Sequence, residues 1–425
     1  MENIVRQAIE RGASDLHIKA GCVFRARIDG RLVELTTQRF TPDQTRAIAL
    51  KLIGNPEVRE RIDRITDYDC SWGAPGLGRF RVNILRQRSS FMIVMRVIPF
   101  EVPTLDSLRL PHALARVAQA ERGMVLVTGA TGAGKSSTIA ALINYLNVNT
   151  NKHIITLENP IEFLHRDVRS SVTQREVGTD TESFWLGMRA ALRQDPDAIV
   201  IGEMRDAETF DTAMKAAETG RLVFSTLHTA DAVSTISRIV GMFTAEEQGV
   251  ARVRLAESLH AVISQRLLPR ADGHGRVVAA EVMVVTPTIR ELILDSQRAG
   301  DIHAYIAQGR ELDGVPMFTF DQHLAELVRA GDVTYEVALA AATKPADFEL
   351  HTRMLSGSSL ATNGVEVAGP APTAPADGGA DPSGGSTESG DSSEPNGSAS
   401  RGRSDTPAGS NGGGLQVSRG LEFLS

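Results

Sequence analysis

Residues 124–137, MVLVTGATGAGKSS, carry the strongest chemical signal in the sequence. Gly129, Gly134, Lys135 and Ser136 occupy the fixed positions of the pattern G-x-x-x-x-G-K-[ST], which is typical of a phosphate-binding loop. Glycines let successive backbone N–H groups turn inward toward phosphate oxygens, and a following helix presents its partly positive N-terminus to the same anion. The sequence therefore predicts a nucleotide site here.

The side chains of this loop suit ATP and Mg²⁺. Lys135 can reach the outer phosphates, and the Ser136 hydroxyl can ligate Mg²⁺. An apolar run precedes the loop and a helix from about Ser136 to Asn147 is expected after it, a context that disfavours a chance match. The residues expected to contact nucleotide are Gly129, Ala130, Thr131, Gly132, Ala133, Gly134, Lys135, Ser136 and Ser137.

A glutamate that could act on water follows the apolar run Ala198–Ile201. Glu203 is the carboxylate best placed to hold or deprotonate an attacking water. Gly202 stands where a magnesium-binding acid is usual, so this version of the second nucleotide-binding motif is atypical. The alternative reading of Glu203 is a helix N-terminal residue favoured by the helix dipole.

Two further apolar runs also end in chemically suggestive residues. Ile154–Leu157 is followed by Glu158 and Glu162, which could bind Mg²⁺ directly or through its water shell. Leu222–Thr226 is followed by His228, which could sense a terminal phosphate or position water. Solvated surface acids and a structural histidine would give the same pattern, so both alternatives stay open.

Apolar runs alternate with helical patterns between residues 112 and 243, which predicts a parallel sheet covered by helices. Ligands of such sheets bind at the carboxyl ends of the strands, where all the residues above are expected. From about 244 to 350 the pattern is mainly helical. The expected segments are strands 124–128, 154–157, 198–201 and 222–226, with helices near 181–193 and 207–218.

Residues 1–98 predict a smaller α+β domain. A short helix ends near Gly12, and Asp29 and Gly30 between alternating segments indicate a hairpin. Phe80, Val82 and Ile84 are expected on the buried face of an antiparallel sheet. The opposite, solvent-facing side is expected to carry Arg79, Arg81, Arg86, Arg88 and Arg96.

Two segments lack the patterns of packed structure. Residues 99–111 contain three prolines and predict an extended linker and hinge between the small domain and a domain spanning 112–354. Residues 355–425 are rich in Gly, Ser and Pro and bury too little apolar surface to offset roughly 1–2 kcal/mol of ordering entropy per residue. We expect this tail to be disordered.

Bulk properties narrow the class of protein. The chain has 425 residues, of which 42% are hydrophobic and 23% charged, as in soluble globular proteins of two or three domains. Its two cysteines, Cys22 and Cys70, exclude a four-cysteine zinc site and fit a reducing cytosol. A net charge of -7 gives no support to a general nucleic-acid binder, and the charged N-terminus predicts no export signal.

Several motifs in a fixed order resemble the type IV pilus and type II secretion ATPase superfamily, in particular its pilus retraction branch. The resemblance covers residues 2–348. The motifs are ASDLHI, RFRVN, VMRVIP, GATGAGKSST, ITLENPIEF, VGTDTESFWLGMRAALRQDPDAIVIGEMRD, STLHTADA, SLHAVISQRLLPR, TPTIRELI and MFTFDQHLAELVRAGDV.

The resemblance implies a RecA-like P-loop NTPase motor domain, a PAS-like N-terminal domain and a helical C-terminal part. It makes Lys135 and Ser136 ligands of phosphate and Mg²⁺, and Glu203 the catalytic glutamate. The family's acidic box then holds Glu158 and Glu162, with Glu158 also near Mg²⁺, and its histidine box holds His228. Arginines that can swing toward bound nucleotide are Arg81, Arg88 and Arg96.

The same resemblance implies a cytoplasmic homohexamer that hydrolyses ATP to drive pilus retraction. Its expected partners are an inner-membrane pilus platform protein and a second retraction ATPase, with membrane association only through partners and no stable nucleic acid. Residues 288–293, TIRELI, match a motif that the family needs for retraction and not for ATP binding.

The chain departs from the family's acidic box at Asn159, where an aspartate is usual. The change removes one negative charge near Mg²⁺, so turnover could be tuned or slowed. The alternatives are an accessory retraction ATPase, which the unusual tail fits, and a low-turnover regulator. A pilus assembly or secretion ATPase is disfavoured by the two cysteines and small N-terminal region, and a DNA translocase by the acidic net charge.

Overall fold

Two separate β-sheets organise the part of the chain that the computed structural model describes, residues 1–360 without 29, 75, 99, 100, 310 and 313. The first has the strand order β3-β2-β1-β6-β5-β4. Its strands are β1 Ala13–Lys19, β2 Val23–Ile28, β3 Arg31–Arg39, β4 Asp67–Ala74, β5 Gly78–Gln87 and β6 Ser90–Val97.

All neighbouring strands of this N-terminal sheet pair antiparallel, as the alternating sequence predicts. Phe80, Val82 and Ile84 are fully buried on one face, where short helices cover them. One of these helices, α2 at Pro42–Leu52, begins with a capping box, in which Thr41 and the third helical residue hydrogen-bond reciprocally. The helices are α1 Glu2–Glu10, α2 Pro42–Leu52 and α3 Pro56–Glu60, followed by a 3₁₀ turn at Ile62–Arg64.

The prediction that five arginines share one solvent-facing side of this sheet is wrong for two of them. Arg86 has the same parity as the buried residues of β5, and its guanidinium stacks 5.1 Å from the centre of the Phe91 ring. Arg88 lies in the turn between β5 and β6 with φ at 48°. Side chains alternate strictly across a strand, so an odd spacing puts a residue on the opposite face.

The second sheet has the order β13-β12-β7-β11-β10-β8-β9 and is parallel except for the β12–β13 pair. β7, β10 and β11 are buried along their whole length, since helices cover both faces of the sheet. Its strands are β7 Gly123–Gly129, β8 His153–Glu158, β9 Ser171–Glu176, β10 Ala198–Ile201, β11 Leu222–Leu227, β12 Leu259–Pro269 and β13 Arg276–Val284.

The helices of the second half follow the strands as predicted up to residue 243. A two-stranded ribbon, β14 Glu311–Leu312 and β15 Val315–Pro316, interrupts the later ones. The helices are α4 Ala113–Ala118, α5 Lys135–Asn149, α6 Phe184–Ala191, α7 Ala207–Glu218, α8 Ala232–Val240, α9 Gln248–Ser258, α10 Pro287–Leu294, α11 Asp301–Ile306, α12 Phe320–Arg329, α13 Tyr335–Ala341 and α14 Pro345–Leu360.

The expectation of a mainly helical segment from 244 to 350 is wrong for residues 259–284. These form β12 and β13, which extend the central sheet beside β7. β13 is buried along nearly its whole length and reads as an almost continuous apolar run, which periodicity cannot distinguish from a buried helix. β12, LHAVISQRLLP, mixes apolar residues with polar and charged ones and shows no clear strand period. The edge strand β9 was not predicted, because its sequence SVTQRE is polar.

α14 continues to Leu360, so it overlaps the first residues of the predicted tail, 355–425. Phe348 is fully buried in the first turns of α14, and a helix anchored in this way can extend a few residues beyond its packed part. The predicted disorder of residues 361–425 lies outside the described residues, as does part of the predicted hinge. Within the described part, no helix is long and apolar enough to cross a membrane.

Candidate active site

The loop between β7 and α5 has the backbone that a phosphate cradle requires. Gly129 has φ at 145° and Gly134 has φ at 88°, both in the region that favours glycine. A Cβ on Gly129 would lie 2.5 Å from the Gln265 carbonyl oxygen of β12, so no larger residue fits there. The N-terminus of α5, which begins at Lys135, therefore opens directly onto the loop.

Lys135 is folded back into this loop. Its Nζ donates to the carbonyl oxygens of Gly129 at 2.8 Å and Ala130 at 2.9 Å. The side chain is largely buried, and this burial lowers the pKa of Lys135 below its ordinary value. Ser136 and Thr131 are exposed, so the loop is open to a ligand from solvent.

His228 joins Lys135 to Glu203. The Nδ1 atom of His228 lies 3.4 Å from Lys135 Nζ, and its Nε2 lies 3.4 Å from Glu203 Oε1. Since an ammonium group can only donate, Nδ1 of His228 accepts from Lys135, and Nε2 is the ring nitrogen on the side of the glutamate. Three residues from three separate strand ends thus form one polar chain, as the topology of a parallel sheet predicts.

Arg205 holds the other side of Glu203. Its guanidinium donates to Glu203 Oε2 at 2.7 Å, and this bond is the main cause that lowers the pKa of Glu203; the electrostatic influence of the neighbouring His228 and Lys135 adds to it. A cavity of about 480 Å³ opens beside these groups. Glu203 is therefore ionised at neutral pH and able to accept a proton, although the arginine weakens its basicity.

We expect the Arg205→Gln variant to move the acid limb of the kcat/KM profile to higher pH. Loss of the guanidinium raises the pKa of Glu203, so the active carboxylate form is lost earlier as the pH falls. Because Arg205 is 78% exposed, and exposed ion pairs contribute about 0–1 kcal/mol, kcat at pH 8 should change by less than about fivefold.

The matched control for this profile is Arg193→Gln. Arg193 is an exposed arginine that donates to a backbone carbonyl and touches no carboxylate of the site. Steady-state ATP hydrolysis from pH 5 to 9 measures both variants. An acid limb that stays where the wild type has it would exclude Arg205 from control of Glu203.

The acidic loop, residues 158–162, connects β8 to the site. Glu158 accepts hydrogen bonds from Thr156 Oγ1 at 2.6 Å and Gln174 Nε2 at 3.0 Å through one oxygen, and from Glu162 N–H at 3.4 Å through the other. Desolvation raises the pKa of Glu158 and outweighs these bonds. Its position is therefore fixed, and its charge is more easily lost than that of Glu203.

Glu162 and Asn159 are exposed in the same loop. The negative charges of Glu203 and Glu162 attract the Lys135 ammonium group and oppose the lowering of its pKa by burial. The predicted acidic and phosphate-binding groups are therefore electrostatically coupled. Asn159 makes no side-chain hydrogen bond to the described residues. The departure from the family pattern therefore changes local charge without disturbing a network.

The close approach of two strands explains why a glycine, Gly202, occupies the position where a magnesium-binding acid is usual. A Cβ there would lie 3.3 Å from the Leu157 carbonyl oxygen and 3.5 Å from the Cα of Glu158. The Gly202 N–H donates to that same carbonyl at 2.8 Å, so β8 and β10 approach closely at their ends. A side chain at this position would push Glu158 away from the site.

The three arginines predicted to approach nucleotide do not contact the phosphate loop in this arrangement. Arg81 is exposed and pairs in register with Arg96, whose Nε donates to Asp15 at 2.9 Å. Arg88 is exposed at its hairpin turn. Over the described part of the chain, no hydrogen bond or ion pair connects them to residues 129–137, so their role stays a prediction.

Comparison with known proteins shows the family to which the chain belongs. The family model described as "Type II/IV secretion system protein" matches residues 1–310. The chain belongs to this family. It is 43% identical over 339 residues to the type IV pilus retraction ATPase PilT of Pseudomonas aeruginosa, which covers 80% of this chain and 97% of that relative.

Two further family members are similar. The type IV pilus ATPase PilU of Pseudomonas aeruginosa is 40% identical over 359 residues, covering 84% of this chain and 92% of PilU. The crystal structure of the pilus retraction motor PilT with bound ADP superposes with a TM-score of 0.75 at 41% identity, over 82% of this chain and 99% of that one. The predicted superfamily and its α/β fold with a smaller N-terminal domain are confirmed.

Sequence reasoning missed three polar residues of the site, Arg205, Gln174 and Glu176. Arg205 lies two residues beyond Glu203 in GEMRD, a spacing that could have suggested the ion pair. Gln174 and Glu176 belong to β9, and once that strand is known their shared parity places both on one face. Missing the strand therefore meant missing its side chains.

Proposed function

We propose that this chain is an ATPase motor that drives retraction of type IV pili. It is an ATP-hydrolysing enzyme, and the observation that carries the proposal is the chain of contacts from Lys135 through His228 to Glu203 at the mouth of a phosphate loop. That arrangement occurs in a protein 43% identical to a retraction ATPase. The prediction of a nucleotide-hydrolysing retraction motor agrees with both.

Each residue of the site has a different role in ATP hydrolysis. Lys135 exchanges the carbonyl oxygens of Gly129 and Ala130 for phosphate oxygens of ATP, which are stronger acceptors because they are charged. Glu203 orients the attacking water and accepts its proton. His228 lies between Lys135 and Glu203, with its Nε2 atom 3.4 Å from the Glu203 carboxylate, so the base is electrostatically coupled to the lysine that contacts phosphate.

The residues present fit Mg²⁺ as the companion of ATP. Mg²⁺ typically binds to nucleotide phosphates, waters and only one or two protein oxygens, so it needs no dense ligand cluster. Within the described residues, no cluster of three or more His, Cys, Asp or Glu side chains is arranged to hold a metal ion. The exposed Ser136 hydroxyl would hold the ion, with Glu158 acting through water, and the ion would neutralise charge on the transferred phosphate.

Work arises from motion between the domains. We expect a homohexamer in which Arg81, Arg88 and Arg96 approach bound ATP and separate after phosphate release. ATP then drives movement because it binds the closed arrangement more tightly than the open one. The hinge at residues 99–111, the cytoplasmic location and an inner-membrane platform partner belong to the same proposal.

An accessory role in retraction is the second candidate. The relative named PilU aligns over 359 residues of this chain, against 339 for PilT, at similar identity. An accessory ATPase would act together with a second retraction ATPase. Restoring twitching in a strain that lacks every retraction ATPase would assign the principal role, whereas restoration only beside a second ATPase would assign the accessory one.

Deleting the gene in the source organism tests the function. We expect cells to accumulate surface pili and to lose twitching, because pilin subunits are no longer returned to the membrane. Wild-type protein should restore the phenotype, and a Glu203→Gln form should not. Cells that lose their pili instead would show that the motor drives extension, and purified protein without ATP hydrolysis would remove the motor assignment altogether.

A further inference from the structure

A single carboxylate contacts both the N-terminal sheet and the acidic loop. Glu176, the last residue of β9, is only 3% exposed. It accepts hydrogen bonds from the Ser71 hydroxyl at 2.6 Å and from the Arg79 guanidinium at 2.7 Å. It also accepts from the buried N–H of Ile161, within the acidic loop, at 3.1 Å.

The two donors from the N-terminal sheet lie on its edge pair of strands. Ser71 is on β4 and Arg79 on β5, so Glu176 binds two strands at once. Within the described residues, the buried Nε atom of Arg79 has no hydrogen-bond partner, and Glu176 is the acidic group that pairs with this arginine at the interface. The contact is therefore a charged anchor between the two sheets.

The same strand also fixes the acidic loop from its other side. Gln174, two residues earlier on β9, donates to Glu158 at 3.0 Å and to the Phe163 carbonyl at 2.9 Å, and accepts from His165 N–H at 2.8 Å. The loop is thus held at both ends by Gln174 and in its middle by Glu176. Only the middle contact is shared with the N-terminal domain.

Moving the N-terminal domain changes what surrounds the Glu176 charge. A buried carboxylate is costly unless it is well paired, and loss of Arg79 and Ser71 leaves Glu176 with only the Thr179 hydroxyl at 3.4 Å and the Ile161 N–H among the present donors to its side chain within the described residues. Glu176 then finds other donors or shifts toward water. Either response alters its bond to Ile161. Because Ile161 lies between Glu158 and Glu162, the loop that faces the phosphates must respond as well.

We propose that Glu176 is a positioning residue that transmits the position of the N-terminal domain to the acidic loop. The inference rests on the proposed ATPase function and adds a route by which domain movement reaches the nucleotide. Arg79 moves with the N-terminal domain, Glu176 is the relay that contacts it, and the Ile161 N–H is the group of the acidic loop that responds. Hydrolysis is then favoured when the anchor is closed.

The first test measures hydrogen exchange in full-length, nucleotide-free protein. In the Arg79→Gln variant, the peptide that contains Ile161 should exchange about tenfold faster than in the wild type, although residue 79 belongs to the other sheet. Ser71→Ala should give a smaller change in the same direction. Arg25→Gln, which removes an exposed ion pair with Glu34 in the same domain, should leave this peptide unchanged.

The second test separates coupling from simple structural support. Arg79→Gln and Glu176→Gln should each lower kcat about tenfold while the dissociation constant for ATP stays within about twofold. The double variant should be no slower than the slower single variant, because both changes break one connection. Circular dichroism of each variant verifies that it is folded.

The outcomes distinguish this inference from the function on which it rests. Unchanged exchange around Ile161 in a folded Arg79→Gln protein would overturn the relay, as would fully additive losses of kcat in the double variant. Faster exchange in Arg79→Gln, beside a wild-type protein that does not hydrolyse ATP, would retain the relay and overturn the ATPase function.

Discussion

ATP turnover by the Glu203→Gln variant is expected to fall on the order of a thousandfold, while ATP binding remains close to that of the wild type. The amide keeps the size of the side chain and an oxygen acceptor but cannot take a proton from water, and a positioned base contributes about 10²–10⁴ in rate. Phosphate release and equilibrium binding of a fluorescent ATP analogue measure the two quantities.

Glu208→Gln is the matched control for this substitution. Glu208 is an exposed glutamate in the first turn of α7, five residues further along, and makes no side-chain contact with the site. We expect its turnover to equal that of the wild type. Undiminished hydrolysis by Glu203→Gln would remove this residue from the chemical step and direct attention to Glu158 or Glu162.

Binding of ATP by Lys135→Ala should weaken by about two to three orders of magnitude. Loss of one partner from a desolvated charge pair costs about 2–5 kcal/mol, and every 1.4 kcal/mol is a factor of ten in affinity. The largely buried lysine already lies among acceptors, so its charge is positioned before ATP arrives. Isothermal titration with a non-hydrolysable ATP analogue gives the dissociation constant.

The comparison for this measurement is Lys51→Ala in the N-terminal domain. Lys51 is 53% exposed and forms a surface ion pair with Glu2 at 3.4 Å, which contributes about 0–1 kcal/mol at most. Its affinity for the analogue should be unchanged. If Lys135→Ala bound the analogue as tightly as this control, residues 129–137 would not be the nucleotide site.

Local patterns were sufficient for the phosphate loop and the strands beside it. The pattern in residues 129–136 dictates glycine at positive φ, a lysine at the helix start and a hydroxyl after it, and none of these depends on distant residues. The apolar runs near β7, β10 and β11 were recognised because strands buried on both faces contain few polar residues. Their placement of Glu203 and His228 at neighbouring strand ends follows from parallel pairing.

The sequence-based predictions failed for strands whose formation depends on pairing with distant segments. β12 belongs beside β7, but its mixture of apolar and polar residues shows no clear strand period and fits a helix equally well until that neighbour is known. β9 is polar and becomes a strand because β8 offers it a free edge. The positions of domain boundaries and the catalytic roles of the site residues stay predictions, since geometry alone tests neither.

Spacing along the chain was enough to show which groups could do chemistry: a glycine loop ending in Lys135 and Ser136, and carboxylates and a histidine after separate strands. This was possible because covalent spacing controls local backbone geometry and strand ends. The connections between those groups are visible only in the folded structure, with His228 between Lys135 and Glu203, Arg205 on the far oxygen, and Glu176 joining two sheets. Such contacts depend on side-chain direction and on burial across distant segments, which spacing along a chain does not encode.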